Sequence, residues 1–114
     1  MKGSGQDAER WAAQHLQQQG LKQVAQNYRG RFGEIDLIMQ DGATLVFVEV
    51  RLRRSENFGG AAASIDTRKQ QRLIRTAQQY LSVLARTPPC RFDVVLMDDA
   101  QGHNVQWLKN AFDA

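Results

Sequence analysis

The sequence predicts an α/β fold in which helices flank a mixed β-sheet, with elements in the order αβββαββ. Two segments carry apolar residues at helical spacing, and short apolar runs rich in β-branched residues fill much of the remainder. Turn signals such as Asp41-Gly42 and Pro88-Pro89 separate the segments. The 114 residues fit a single domain over 1–114. With 42% hydrophobic and 24% charged residues, wholesale disorder is not expected.

The two helices are predicted from apolar stripes with capping residues. The first covers roughly residues 5–19, and Ser4 can cap its start. Its apolar face consists of Ala8, Trp11, Ala12 and Leu16. The second follows Asp66 as cap and runs to about Leu84, since Pro88-Pro89 stop any continuation. Its buried stripe consists of Leu73, Ile74, Ala77, Tyr80, Leu81 and Leu84.

Five strands are predicted around these helices. Their ranges are Leu21–Arg29, Phe32–Gln40, Thr44–Arg53, Arg91–Met97 and Val105–Phe112, the last of which is a short strand or a tail. Asp41-Gly42 predicts a hairpin between the second and third strands. The first half of the third strand is apolar on both faces, which is typical of a central strand covered on two sides.

Several classes of protein are excluded by what the chain lacks. No apolar run approaches the roughly 18 residues of a membrane span, and the first residues lack the apolar core of a secretory signal. A single cysteine, Cys90, excludes an internal disulfide and a cysteine-rich zinc site, and we expect it to be a buried structural thiol. The expectation is a soluble cytoplasmic protein.

The net charge of +3 is unevenly distributed. Residues 51–75 hold seven basic and two acidic residues, 7 − 2 = +5, against eight basic and ten acidic residues elsewhere, 8 − 10 = −2. Arg68, Arg72 and Arg75 fall on one helical face. Together with Arg53, Arg54 and Lys69, they are candidates for contacting a phosphate backbone. The alternative is a solvated basic helix face.

Carboxylates on two neighbouring strands form the candidate chemical site. Strand alternation places Glu34, Asp36 and Ile38 on one face, and Glu49 and Arg51 on one face of the next strand. A tight hairpin at Asp41-Gly42 puts Glu34 opposite Glu49, whereas a loop two residues longer puts Asp36 there. Because like charges repel, either register calls for a divalent cation, a basic neighbour or raised pKa values.

Such a pair of acids suits Mg²⁺ or Mn²⁺. A metal there can activate water and polarise a phosphodiester, with Arg51 stabilising phosphate charge. Glu9 on the first helix is a further candidate that can project to this sheet edge. Two alternatives remain open: solvent-exposed charges on a strand pair, and Glu9 as a favourable acid near a helix start.

An ordered set of motifs resembles the YraN family of uncharacterised bacterial proteins. The set is Gly5 through Glu9, Asn27-Tyr28-Arg29, Gly33 through Ile38, Val46 through Val50, Arg53, Phe58-Gly59, Lys69, Arg72-Leu73, Tyr80-Leu81, Arg91 through Val95 and Trp107 through Phe112. The resemblance covers nearly the whole chain.

The resemblance implies a restriction-endonuclease-like (tRNA endonuclease-like) fold of the PD-(D/E)XK, Holliday-junction-resolvase-like superfamily. It implies Asp36 and Glu49 as metal ligands, with the Val50 carbonyl as a third. It also implies Glu9 as a helix-borne acid. Glu34 is a supporting candidate on the strand-face argument alone. The implied activity is Mg²⁺- or Mn²⁺-dependent cleavage of nucleic acid, with branched DNA as a candidate partner. Resolvase-like proteins are often dimers, so a homodimer is a further expectation.

Arg51 departs from the superfamily pattern, which has lysine at this position. Arginine keeps a positive charge but cannot deprotonate near neutral pH, so it cannot serve as a general base. Lys69 on the second helix is a candidate to supply the amine instead. The competing expectation is a catalytically inactive module that binds nucleic acid or protein and retains only the fold.

Overall fold

The architecture was analysed in a computed structural model that describes residues 3–53 and 65–114. The elements are α1 (Gly3–Gln18), β1 (Lys22–Arg29), β2 (Glu34–Asp41), β3 (Thr44–Leu52), α2 (Thr67–Leu81), β4 (Cys90–Met97) and β5 (Gln106–Phe112). The predicted order αβββαββ is confirmed. Arg54 and the Phe58-Gly59 motif lie outside the described residues.

The five strands form one mixed sheet in the order β1-β2-β3-β4-β5. Neighbouring strands are antiparallel except β3 and β4, which run parallel from Leu45↔Cys90 to Leu52↔Met97. A parallel pair requires a long connection, and α2 lies in it. The carboxyl ends of β3 and β4 therefore meet at the same edge of the sheet.

Each face of the sheet is covered by one helix. Ala8, Ala12 and Leu16 of α1 join one apolar cluster with residues of the central strands. Leu73 and Ala77 of α2 join the other. Leu45 through Glu49 of β3 are all buried, so the predicted double coverage of this strand is confirmed. In the described residues no helix is long and apolar enough to cross a membrane.

Asp66 caps α2 as predicted, because its carboxylate accepts a hydrogen bond of 2.8 Å from Lys69 N. The predicted end of this helix is wrong. The last helical residue is Leu81, Ser82 is the C-cap, and Leu84 is exposed instead of completing the buried stripe. At the other end of the chain, Ser4 lies inside α1 and is not its cap.

Cys90 and Asp93, both on β4, differ in their burial. Cys90 is exposed, so the expectation of a buried thiol is wrong. Asp93 is buried and accepts hydrogen bonds from Arg91 Nε, Trp107 Nε1 and Asn110 N. A buried carboxylate with these donors connects β4 and β5 and is structural in role.

Candidate functional site

A cleft opens where β2 and β3 separate. The pairing of β2 with β3 ends at Leu37↔Val48, although β2 stays paired with β1 as far as Glu34. The strands β3 and β4 likewise continue together to Leu52↔Met97. The resulting cleft has a volume of about 560 Å³. Its lining residues are Ala8, Glu9, Asp36, Glu49, Val50, Arg51, Leu52, Arg53 and Asp98.

The β2–β3 hairpin decides which acid faces Glu49. Asp41 pairs with Thr44, so the two-residue loop is Gly42-Ala43, one residue later than predicted. Gly42 has a φ of 60°, a left-handed conformation that glycine adopts easily. This register continues to Leu37↔Val48, so the next residue on each strand is Asp36 and Glu49. Asp36 is thus level with Glu49, through a shifted turn and not through a longer loop.

Asp36 occupies an irregular stretch of β2. Ile35 and Ile38 contribute to the same apolar cluster, whereas regular alternation would place them on opposite faces. The predicted sharing of one face by Glu34, Asp36 and Ile38 therefore does not hold. Asp36 Oδ2 accepts a hydrogen bond of 2.9 Å from Val50 N, just beyond the last backbone pair of β2 with β3.

Glu49 is a buried acid with two cations beside one of its oxygens. Its side chain is 6% exposed, and Oε2 lies 3.5 Å from Lys69 Nζ and 3.6 Å from Arg51 Nη1. Burial, followed by the charge of Asp36, raises the pKa of Glu49 to about 7, and Lys69 and Arg51 act in the opposite direction. The structure therefore brings Lys69 to the same carboxylate as Arg51.

Glu9 is the third acid of the cleft and comes from α1. Burial, followed by the nearby Asp36, raises the pKa of Glu9 to about 8. Glu34 raises this pKa further, and a hydrogen bond with Asn27 lowers it. Glu9 is the seventh residue of α1 and so lies beyond the first turn, where the helix dipole has most of its effect. Its Oε1 is buried and has no hydrogen-bond partner among the residues described.

Of the residues predicted to contact nucleic acid, some are exposed and others already bond to groups within the protein. Arg68, Arg72 and Arg75 are exposed on α2, while Lys69 is half-buried beside Glu49. Arg53 Nε donates to Asp98 Oδ1 over 2.8 Å, and the same guanidinium donates to Asn104 O and Gln106 Oε1. Arg53 therefore joins β3 to the turn between β4 and β5, and few of its donors remain for phosphate.

Asp98 and Asn27 belong to the site but were not predicted. Asp98 follows β4, and the parallel pairing of β4 with β3 carries it to the cleft beside Arg53. Hydrogen bonds from Asn104 and Arg53 lower the pKa of Asp98. Asn27 has a φ of 54° within β1 and lowers the pKa of Glu9. Knowing that β3 and β4 are parallel would have indicated Asp98, whereas Asn27 appeared only in the Asn27-Tyr28-Arg29 motif, which assigned it no role in a site.

A geometric condition limits how these acids can bind a metal. Within residues 3–53 and 65–114, no three side chains of His, Cys, Asp or Glu are grouped so that they can hold one ion together. Mg²⁺, however, is often bound by one or two carboxylates and completes its shell with waters and substrate phosphates. Asp36 and Glu49 are two carboxylates of the cleft lining that are available for that second mode.

Comparison with known proteins places the chain in a bacterial family. The family model described as "Uncharacterised protein family UPF0102" matches residues 8–97. The chain belongs to the UPF0102 family. A UPF0102 protein of Nitrosomonas europaea is 57% identical over 109 residues, covering 96% of this chain and 92% of the relative. A UPF0102 protein of Methylobacillus flagellatus is 51% identical over 114 residues, covering 100% of both chains. The matched region of the UPF0102 family contains every acid and base of the cleft up to β4.

Proposed function

We propose that this UPF0102 protein binds nucleic acid and cleaves it as a Mg²⁺- or Mn²⁺-dependent, structure-specific endonuclease. The proposal includes the restriction-endonuclease-like, Holliday-junction-resolvase-like fold that the sequence resembles. The observation that carries it is the arrangement around Glu49. Asp36 lies level with Glu49 where the strands separate, and Lys69 and Arg51 both lie beside one Glu49 oxygen.

The acids of the cleft fit a divalent cation. Asp36 and Glu49 would hold it, with the carbonyl of Val50, which also lines the cleft, as the third ligand. Glu9 and Glu49 have raised pKa values, and one buried Glu9 oxygen has no partner among the described residues. A divalent cation would stabilise these carboxylates beyond what Lys69 and Arg51 provide. When bound, such an ion supplies a water of lowered pKa and polarises the phosphoryl group.

The side chains divide the remaining tasks. Arg51 presents a planar guanidinium that can contact two phosphate oxygens, but it cannot release a proton near neutral pH. Lys69 adds a compact ammonium at the same carboxylate and supplies the lysine that the strand lacks. With a pKa of about 8, Glu9 keeps its proton at neutral pH and can hold or donate it at its carboxyl. Glu34 assists by raising that pKa.

An inactive binding module is the second candidate. Two observations favour it: Arg51 stands in place of lysine, and the described residues offer no grouping of three metal-binding side chains. Such a module would bind nucleic acid through the exposed arginines of α2 without binding metal at Asp36 and Glu49. Metal titration therefore separates the two candidates.

The test is calorimetric titration of the purified protein with Mn²⁺ at pH 8, followed by cleavage of a branched DNA. We expect one saturable Mn²⁺ site and Mn²⁺-dependent cleavage, both abolished in Asp36→Asn. Asp7→Asn is the matched control, because Asp7 is an exposed acid on α1 outside the cleft lining. Absence of the Mn²⁺ isotherm, or equal cleavage by wild type and Asp36→Asn, would contradict the proposal.

A further inference from the structure

The connection between β1 and β2 presents an exposed aromatic ring on a fixed loop. Phe32 is 42% exposed, and the guanidinium carbon of Arg75 lies 5.5 Å from its ring centroid. Arg75 lies over one face of the ring, and 42% of the residue remains exposed. A single exposed aromatic residue is ordinary, and its surroundings decide whether it has a role.

The loop is held against α2 by specific contacts. Gly30 N donates to Gly33 O over 2.8 Å, and Arg31 N donates to Gln79 Oε1 over 2.8 Å. A Cβ at Gly30 would lie 2.5 Å from Gln79 Oε1, so a larger residue here would displace the amide that accepts from Arg31 N. The loop therefore presents Phe32 in a defined position, which reduces the entropy cost when a ligand packs against the ring.

The surroundings of Phe32 are basic. Arg31, Arg72 and Arg75 are all exposed. Arg72 lies next to the loop, because its Cβ would be only 3.9 Å from a Cβ added to Gly33. Glu34 is the acid nearest in sequence, and it pairs with Arg29 at 3.9 Å. An exposed ring surrounded by guanidinium groups is complementary to a polyanion that also carries flat aromatic groups.

Two elements, α2 and the start of β2, lead from this surface toward the cleft. On α2, Lys69 lies at Glu49 and Arg75 at Phe32, a separation of about 9 Å along a helix that rises about 1.5 Å per residue. On the chain itself, Phe32 precedes Asp36 by four residues, at most about 13 Å of extended strand. One nucleic-acid strand can therefore contact both places.

We propose that Phe32 is a stacking platform for an unpaired base of the nucleic acid, with Arg31, Arg72 and Arg75 holding the adjoining phosphates. This inference rests on the proposed function and adds a substrate class to it: nucleic acid with a single-stranded segment next to the cleavage site. A base in a blunt duplex is already stacked between its neighbours and does not gain from the ring. Phe32 thus selects for unpaired substrates.

The test measures binding of two labelled DNAs in EDTA, so that no cleavage occurs. One is a blunt duplex and the other carries a single-stranded flap. We expect Phe32→Ala to weaken flap binding by about 5- to 100-fold, the usual effect of removing one stacked base, and to change duplex binding by less than about 2-fold. Phe32→Trp should retain flap binding, and its added fluorescence should be quenched by the flap.

The matched control is Val24→Ala, because Val24 has the same 42% exposure but lies on β1 outside the loop. It should bind both DNAs like wild type. Equal flap binding by wild type and Phe32→Ala, or an equal weakening on both DNAs, would overturn the stacking platform and leave the proposed function standing. If wild type binds neither DNA, the proposed function itself fails. Unchanged thermal unfolding of Phe32→Ala verifies that the fold is retained.

Discussion

Lys69 Nζ lies 3.5 Å from Glu49 Oε2, which joins the first turn of α2 to β3, the central strand of the sheet. The two residues are 20 positions apart in sequence. Arg51 Nη1 approaches the same oxygen at 3.6 Å. One buried carboxylate thus has a lysine from a helix and an arginine from its own strand beside it. Mutation can therefore test whether a lysine at position 51 replaces the lysine at position 69.

The first prediction concerns that exchange. In the proposed function Lys69 supplies the ammonium, so Lys69→Ala should lower metal-dependent cleavage by about 100-fold or more, the usual scale for removal of a proton-transfer group. Adding Arg51→Lys to Lys69→Ala should restore at least about tenfold, since the new amine lies beside the same oxygen. Single-turnover cleavage rates are the measurement.

Lys109→Ala is the control for this series, because Lys109 lies over the ring of Trp107 and does not line the cleft. A further readout does not depend on activity: the pKa of Glu49 should rise in Lys69→Ala, since Lys69 lowers it. Carboxyl NMR titration detects that change. Wild-type rates in Lys69→Ala would show that the lysine takes no part.

The second prediction concerns the pH dependence of stability without metal. The pKa values of Glu9 and Glu49 are raised to about 8 and about 7 from the ordinary 4.5. Between 4.5 and these values the folded state binds more protons than the unfolded state, so the free energy of unfolding falls as pH rises. In EDTA, urea denaturation should show stability decreasing from about pH 5.5 to about pH 8 and levelling above that.

Glu9→Gln should remove part of this slope. We expect it to be more stable than wild type by roughly 1–2 kcal/mol at about pH 8, and to differ much less at about pH 5, where Glu9 is protonated in the folded state. Asp7→Asn should follow the wild-type curve. Wild-type stability that increases steadily over the same pH range would contradict the raised pKa values.

The third prediction separates the arginines of α2 from Arg53. Replacing Arg68, Arg72 and Arg75 by Gln should make the salt dependence of DNA binding shallower, by about one unit of log K per log salt for each phosphate that the protein no longer neutralises. Arg53→Gln should leave that slope nearly unchanged and should lower stability by about 1–2 kcal/mol, because Arg53 bonds the β4–β5 turn. Affinities from about 50 to about 300 mM salt and urea denaturation are the measurements.

Arg86→Gln offers a control outside the helix and the cleft, with one exposed arginine removed. A salt slope unaffected by the triple substitution would remove the α2 arginines from the proposed interface. If Arg53→Gln made the salt dependence of DNA binding shallower without changing stability, Arg53 would belong to the proposed interface.

The sequence by itself determined which segments become helices and strands. Helix α2 follows from a local apolar period and from Asp66, whose carboxylate caps it as predicted. The double burial of β3 follows from its composition. These features depend on neighbours a few residues apart, which the sequence displays directly. Errors at element ends, such as Leu84 beyond α2, arise because the last turn of a helix depends on local packing.

Only the tertiary structure decided how the site is assembled. A one-residue shift of the hairpin loop brings Asp36 level with Glu49. The parallel pairing of β3 and β4 brings Asp98 to the cleft, and the packing of α2 brings Lys69 to Glu49 and Arg75 to Phe32. These relationships join residues far apart in sequence through strand register and helix packing. Register and packing are fixed by the whole core and not by any local pattern, so the sequence supplied the acids and bases while the fold determined which of them meet.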